Sequence, residues 1–168
     1  MTPIIAPRPL AANDERGEFD CGRASMNRWF REHAWRNQLS GATRTTVICE
    51  NGSARICGYV SLCASEIRRE LLVKRDQRNQ PDPIPVILLA QLAIDLREQG
   101  QGHARSLLQY ALKTALRVSR EIGAFGVMTH PLDEMARAFY RKHRFEDLPQ
   151  DPRQAMIIRM VKLEMTGE

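Results

Sequence analysis

The segment that most constrains this chain is VILLAQLAI, Val86–Ile94, which is apolar at every position except Gln91. A strand with one face in water alternates apolar and polar side chains, whereas an unbroken apolar run marks a strand covered on both faces. Such strands lie centrally in sheets that carry helices, so this run points to an α/β protein. It falls well short of the roughly 18 apolar residues that a membrane span needs. The chain then turns through the polar DLREQGQG, with Gly100 and Gly102, into a helical pattern. There Ala104, Leu107, Leu108, Ala111, Leu112, Ala115 and Val118 keep one apolar face as far as Gly123.

The other elements arrange themselves around this strand, loop and helix. The spacing of Met26, Trp29, Phe30, His33, Ala34 and Asn37 predicts a helix over Arg23–Gln38, with Trp29 on its core face. TRTTVICE and RICGYVSLC are rich in β-branched and aromatic residues and flank Asn51-Gly52, a strong hairpin signal. Glu66–Pro85, charged and then punctuated by proline, reads as an irregular excursion, functional or mobile. AFGVMTH predicts a strand, DEMARAFYRKH a short helix with acidic residues at its positive end, and MIIRMVKLE (Met156–Glu164) a last strand. This order predicts an α/β (α+β) fold, a mixed central sheet flanked by helices, in a single domain spanning 1–168. A chain of 168 residues buries a core without staples.

Composition excludes little. Hydrophobic residues at 43% and charged residues at 27% are ordinary for a soluble globular protein. MTPIIAPRPL has no basic region leading into a long apolar one, so a cytoplasmic location and no membrane partner are expected. Cys21, Cys49, Cys57 and Cys63 lack CxxC spacing and the histidines form no HExxH, so no disulfide framework and no metal site are expected. The net charge of +5 leans toward anionic partners without choosing among a nucleotide, RNA or an acidic protein.

The loop carries the question of function. A dinucleotide fold would show G-x-G-x-x-G with an acid further on, and a P-loop would end in Gly-Lys-Ser/Thr; GQGHARS does neither. What stands there is Gln99-x-x-Gly102-x-Ala104 between a buried strand and an amphipathic helix. Small residues let a backbone approach an anion, and the unpaired N–H groups of a first helical turn suit one. By itself the hexapeptide fits either a phosphate cradle or a plain strand-to-helix loop.

The wider pattern resembles the GNAT (N-acetyltransferase) superfamily, in which a strand, a [QR]-x-x-G-x-[GA] pyrophosphate loop and a long helix form the acyl-coenzyme A site. LLAQLAIDLREQGQGHARSLL matches that part, and AFYRKHRF matches the F-Y-x-x-x-G-F pattern downstream, with Arg144 where glycine is usual. A narrower resemblance covers nearly the whole chain, through FDCGRASMNRWF, NQLSGATRTTV, GYVSL, PDPIPVILLAQLAID, QGQGHA and MARAFY. It is to the acetyltransferase toxins of type II toxin–antitoxin pairs. Where those proteins often read Gly-Arg, this chain has Ala90-Gln91 and so lacks a positive charge there.

The resemblance implies transfer of acetyl from acetyl-CoA to the α-amine of the amino acid on charged tRNA, by direct attack in a ternary complex that blocks translation. It implies a ribbon-helix-helix antitoxin, operator DNA bound through that antitoxin, and a homodimer. Leu92, Ala93 and Ile94 would hold the acyl and pantetheine portions, and an N–H there would face the developing oxyanion. Gln99, Gly100, Gln101, Gly102, His103, Ala104 and Arg105 would line the pyrophosphate, and Tyr140 would act on the departing thiolate. A phenol near pKa 10 reprotonating a thiolate near 8.5 is uphill by roughly 2 kcal/mol. Arg36, Arg44, Lys74, Arg75 and Arg78 are the candidates to meet tRNA.

Asp95, Glu98 and Glu66 are the available carboxylates for a general base, but no partner residue marks any of them, and they read as solvated charges. An α-amine near 7.7–8.0 is about a tenth neutral at pH 7, unlike a lysine amine near 10.4, and needs no strong base. The alternatives are a GNAT enzyme acetylating a small-molecule or protein amine, and a catalytically weak module that binds RNA or an antitoxin.

Overall fold

The computed structural model describes residues 3–165. In chain order its elements are β1 (Arg8–Pro9), α1 (Ala24–Glu32), α2 (Ala34–Ser40), β2 (Arg44–Cys49), β3 (Ile56–Ile67), α3 (Lys74–Gln77) and β4 (Ile84–Ile94). There follow α4 (His103–Glu121), β5 (Gly126–Thr129), α5 (Glu134–Lys142), β6 (Glu146–Asp147), β7 (Met156–Arg159) and α6 (Met160–Met165). The strands form one mixed seven-stranded sheet in the order β1-β2-β3-β4-β5-β7-β6. The described residues fold as two compact units, one of residues up to 63 with 90–111, the other of 64–89 with those from 112 onward.

In the first unit β2 and β3 pair antiparallel from Arg44↔Leu62 to Cys49↔Ile56, with an irregularity at Ile48/Cys49 beside the Asn51-Gly52 turn. The core centres on Tyr59, which is fully buried and stacks on Phe30 with ring centroids 4.2 Å apart. Its hydroxyl donates to the Met26 carbonyl at 3.0 Å, so burial of the ring leaves no polar atom stranded. Trp29 and Trp35 both pack against this core. The single helix expected over Arg23–Gln38 is instead two, broken at His33, whose φ of −120° leaves helical geometry. Phe30 and Ala34, four residues apart on either side of the break, are both fully buried.

In the second unit β4 and β5 are parallel, Ile87↔Val127 to Leu89↔Thr129, as a strand–helix–strand crossover requires. β5 pairs antiparallel with β7, and β7 with β6. Ile67, Leu72, Ile84, Val86, Met128 and Ile157 belong to one buried cluster. The excursion is therefore not structureless. β3 runs on to Ile67, a single 3-10 turn spans Arg69–Leu71, and α3 is tied to β7 by Arg159 donating to Asp76 at 2.9 Å. The last predicted strand ends early, at Arg159. Beyond it the buried residues Met160 and Leu163 stand three apart, a helical spacing, and the chain continues as α6.

Candidate active site

The ladder between β4 and β5 ends at Leu89↔Thr129, while β4 runs on to Ile94. Along that extension Ala90, Gln91 and Leu92 are half-buried, and Ala93 and Ile94 are buried. A single 3-10 turn, Leu96–Glu98, then leads into the glycine loop. Gly100 and Gly102 have φ of 81° and 85°, the left-handed region that L side chains avoid. A Cβ at either position would meet nothing within 4 Å, so the glycines serve conformation and leave an open face. Ser106 N–H bonds back to the Gly102 carbonyl at 3.1 Å, which puts the N–H groups of His103, Ala104 and Arg105 at the N-terminus of α4, where an anion is favoured. Arg105 is exposed, Gln101, His103 and Ala104 are half-buried, and His103 Nε2 is buried without a hydrogen-bond partner. An open glycine face beside an unsatisfied imidazole nitrogen fits a polyanionic ligand.

Two carboxylates just before the glycines, Asp95 and Glu98, are buried. Asp95, 1% exposed, accepts from Arg97 N and Nε at 3.0 Å and from Asp20 N at 3.2 Å. Burial pushes its carboxyl up, but the hydrogen bonds from Arg97 and Asp20 outweigh it and hold the group below the usual aspartate value. Glu98, also 1% exposed, is clasped by both terminal nitrogens of Arg55, one of them at 3.1 Å. These carboxylates are buried and paired, not solvated as the sequence predicts. Glu66 is exposed. Gln99 Nε2 donates to the Ile94 carbonyl at 2.8 Å and to the Cys21 carbonyl at 3.1 Å, which commits its amide nitrogen to the backbone.

Tyr140 lies near the end of α5, a helix capped at its start by Asp133 Oδ1 accepting from Ala136 N at 2.8 Å. The helix ends in a Schellman motif. Phe145 N–H donates to the Tyr140 carbonyl at 3.1 Å, Arg144 N–H donates to the Arg141 carbonyl at 3.0 Å, and Arg144 is left-handed at φ 76°. The motif's apolar contact is between Phe145 and Tyr140, ring centroids 5.2 Å apart. This explains the F-Y-x-x-x-G-F spacing: the left-handed position follows the tyrosine by four residues and the packing aromatic by five. Arg144 adopts the glycine conformation, so the turn keeps its shape. Burial pushes the Tyr140 phenol up to about 12, the Thr129 hydroxyl pulling slightly the other way.

Arg36 and Arg44 are exposed in the first unit, where Arg44 donates to the Gln38 carbonyl at 2.8 Å. Lys74, Arg75 and Arg78 are exposed on and beside α3 in the second. Sequence reasoning passed over His130, which follows β5 directly; its Nδ1 is buried without a partner. Among the described residues no group of three or more His, Cys, Asp or Glu could hold a metal.

No family model matches the chain. A tRNA-acetylating toxin of Mycobacterium tuberculosis (strain ATCC 25618 / H37Rv) is 35% identical over 158 residues, 94% of each chain. The chain belongs to the tRNA-acetylating toxin family. This GNAT toxin shares its fold with AtaT complexed with acetyl-methionyl-tRNA, at a TM-score of 0.90 and 28% identity over 98% of this chain and 99% of that one. AtaTR bound with acetyl-CoA gives 0.82 and 26% over 99% of each chain. The AtaT–AtaR complex bound to DNA gives 0.80 and 26% over 98% of this chain and 100% of that one. No helix among the toxin's described residues is long and apolar enough to cross a membrane.

Proposed function

We propose that this chain transfers acetyl from acetyl-CoA to the α-amine of the amino acid on charged tRNA and so blocks translation. The observation that carries the choice of amine is the pairing of both buried carboxylates beside the loop, Asp95 with Arg97 and Glu98 with Arg55. A site whose nearest acids are committed as ion-pair partners suits an amine that is already partly neutral, and an α-amine near 8 is, while a lysine near 10.4 is not. When bound, acetyl-CoA supplies an activated acyl carbon and a thiolate leaving group.

The chain's own residues do the rest. The backbone of Leu92, Ala93 and Ile94 orients the acyl and pantetheine portions. Gly100, Gln101, Gly102, His103, Ala104 and Arg105 line the pyrophosphate, with Gln99 holding the loop to β4. Tyr140, at about 12 when buried, is uphill of a thiol near 8.5 by roughly 5 kcal/mol. It therefore acts as a hydrogen-bond donor to developing charge on sulfur, and the proton gained by the thiolate is the one lost by the amine. Arg36, Arg44, Lys74, Arg75 and Arg78 contact tRNA phosphates. The protein works as a cytoplasmic homodimer, restrained by a ribbon-helix-helix antitoxin through which it joins operator DNA.

Incubation with labelled acetyl-CoA and total charged tRNA tests the reading. Label on the aminoacyl group is expected, and label found only on protein or small amines overturns the substrate assignment.

A further inference from the structure

The stretch FDCGRASMN belongs to the family pattern yet has no part in the chemistry above. In the first unit it is joined to the acyl-donor loop at four points. Leu96 N–H donates to the Asp20 carbonyl at 2.8 Å, Asp20 N–H to Asp95 Oδ2 at 3.2 Å, and Gln99 Nε2 to the Cys21 carbonyl at 3.1 Å. The Leu96 side chain closes on Gly22, where a Cβ would come within 3.1 Å of it and φ is 86°. The turn is itself held rigid. Asp20 Oδ1 accepts from Gly22 N and from Asn27 Nδ2, both at 2.8 Å, and Cys21 N donates to Asn27 Oδ1 at 2.9 Å. Asn27 stands on α1, so a continuous set of hydrogen bonds runs from that helix through the turn to the residues preceding Gly100.

We propose that the Asp20–Asn27 turn is a positioning element of the acyl-donor site: by holding Asp95, Leu96 and Gln99 it keeps the Gly100–Gly102 loop in the shape that receives a pyrophosphate. Asp20 and Asn27 thereby set donor affinity without touching the donor. The inference rests on reading that loop as the acyl-donor site.

The test compares acetyl-CoA with acetyl-pantetheine, which lacks the pyrophosphate and nucleotide, on Asp20→Ala, Asn27→Ala and Asp20→Asn. Each alanine variant is expected to raise the acetyl-CoA Kd about tenfold, to keep kcat at saturation, and to leave the KM for acetyl-pantetheine within about twofold. Asp20→Asn is expected to behave as wild type, because its amide oxygen accepts the same two bonds. Unchanged acetyl-CoA affinity in both alanine variants overturns the proposal. So does an equal loss with both donors, which is general damage, or an Asp20→Asn variant as impaired as Asp20→Ala, which assigns the effect to charge. Hydrogen exchange at residues 99–105 of Asn27→Ala gives an independent reading: faster exchange supports the proposal and unaltered protection overturns it. If wild-type protein binds no acetyl-CoA, the functional reading fails, and hydrogen exchange still decides the positioning claim.

Discussion

Phe145 closes the helix that carries Tyr140: its N–H donates to the Tyr140 carbonyl at 3.1 Å, and its ring packs with a centroid separation of 5.2 Å. Arg144, between them in the motif, holds a φ of 76° that costs an L residue about 1 kcal/mol or more. Arg144→Gly is expected to raise the free energy of unfolding by up to about 1 kcal/mol, read as a higher urea midpoint, with kcat retained. Phe145→Ala removes a buried ring and is expected to cost about 3–5 kcal/mol and to lower kcat as the tyrosine loses its packing. A lower midpoint for Arg144→Gly means that the arginine side chain contributes a contact that outweighs the strain.

Tyr140→Phe keeps the ring in its packing and removes only the hydroxyl. Acetyl-CoA affinity by calorimetry is expected to hold while kcat falls by about 100-fold. With the phenol near 12, nothing in Tyr140 ionises below about pH 10, so kcat/KM is expected to rise with the substrate amine and then stay level. An alkaline fall below that pH, lost in the phenylalanine variant, contradicts the assignment.

The Arg55–Glu98 pair gives the next test. Arg55→Met leaves a buried carboxylate without its cation and is expected to cost about 3–5 kcal/mol in urea unfolding. Arg55→Met combined with Glu98→Met is expected to recover most of that loss, since apolar replacement removes the unpaired charge. Glu98→Gln alone is expected to keep kcat; a large fall identifies Glu98 as a base after all.

Acid sensitivity has a specific source in His130. Burial holds its imidazole below the usual 6.5, and the Arg153 charge adds to the effect. The folded protein therefore binds fewer protons at this site than the unfolded chain does, so stability is full above 6.5 and is lost as pH falls through the lowered value. His130→Asn is expected to flatten the dependence of unfolding free energy on pH between about 7 and about 5. Parallel losses in variant and wild type place the titrating group elsewhere.

Much of this protein was legible locally. The unbroken run Val86–Ile94, the helical face from Ala104 onward and the Asn51-Gly52 hairpin each declare themselves within a few residues, because periodicity and turn chemistry are short-range properties. AFYRKHRF also belongs here, since a Schellman motif is written within six residues of chain. The limits of that reading show at His33 and Arg159, where the helix breaks and the last strand becomes a helix. At Arg159 local propensity was adequate for either outcome, and burial of Met160 and Leu163 at helical spacing decided it.

The fate of Asp95, Glu98 and Gln99 was decided largely by tertiary structure, since only the Asp95–Arg97 pair and the Gln99 bond to the Ile94 carbonyl are local. In sequence they are three polar residues before a glycine loop, equally suited to water, catalysis or a ligand. Their remaining partners Asp20, Arg55 and Cys21 lie 75, 43 and 78 residues away. No local pattern encodes such pairings. The two carboxylate pairings exist because folding removes Asp95 and Glu98 from water, and a buried carboxylate that gives up its hydration takes the hydrogen-bonding partners the fold supplies.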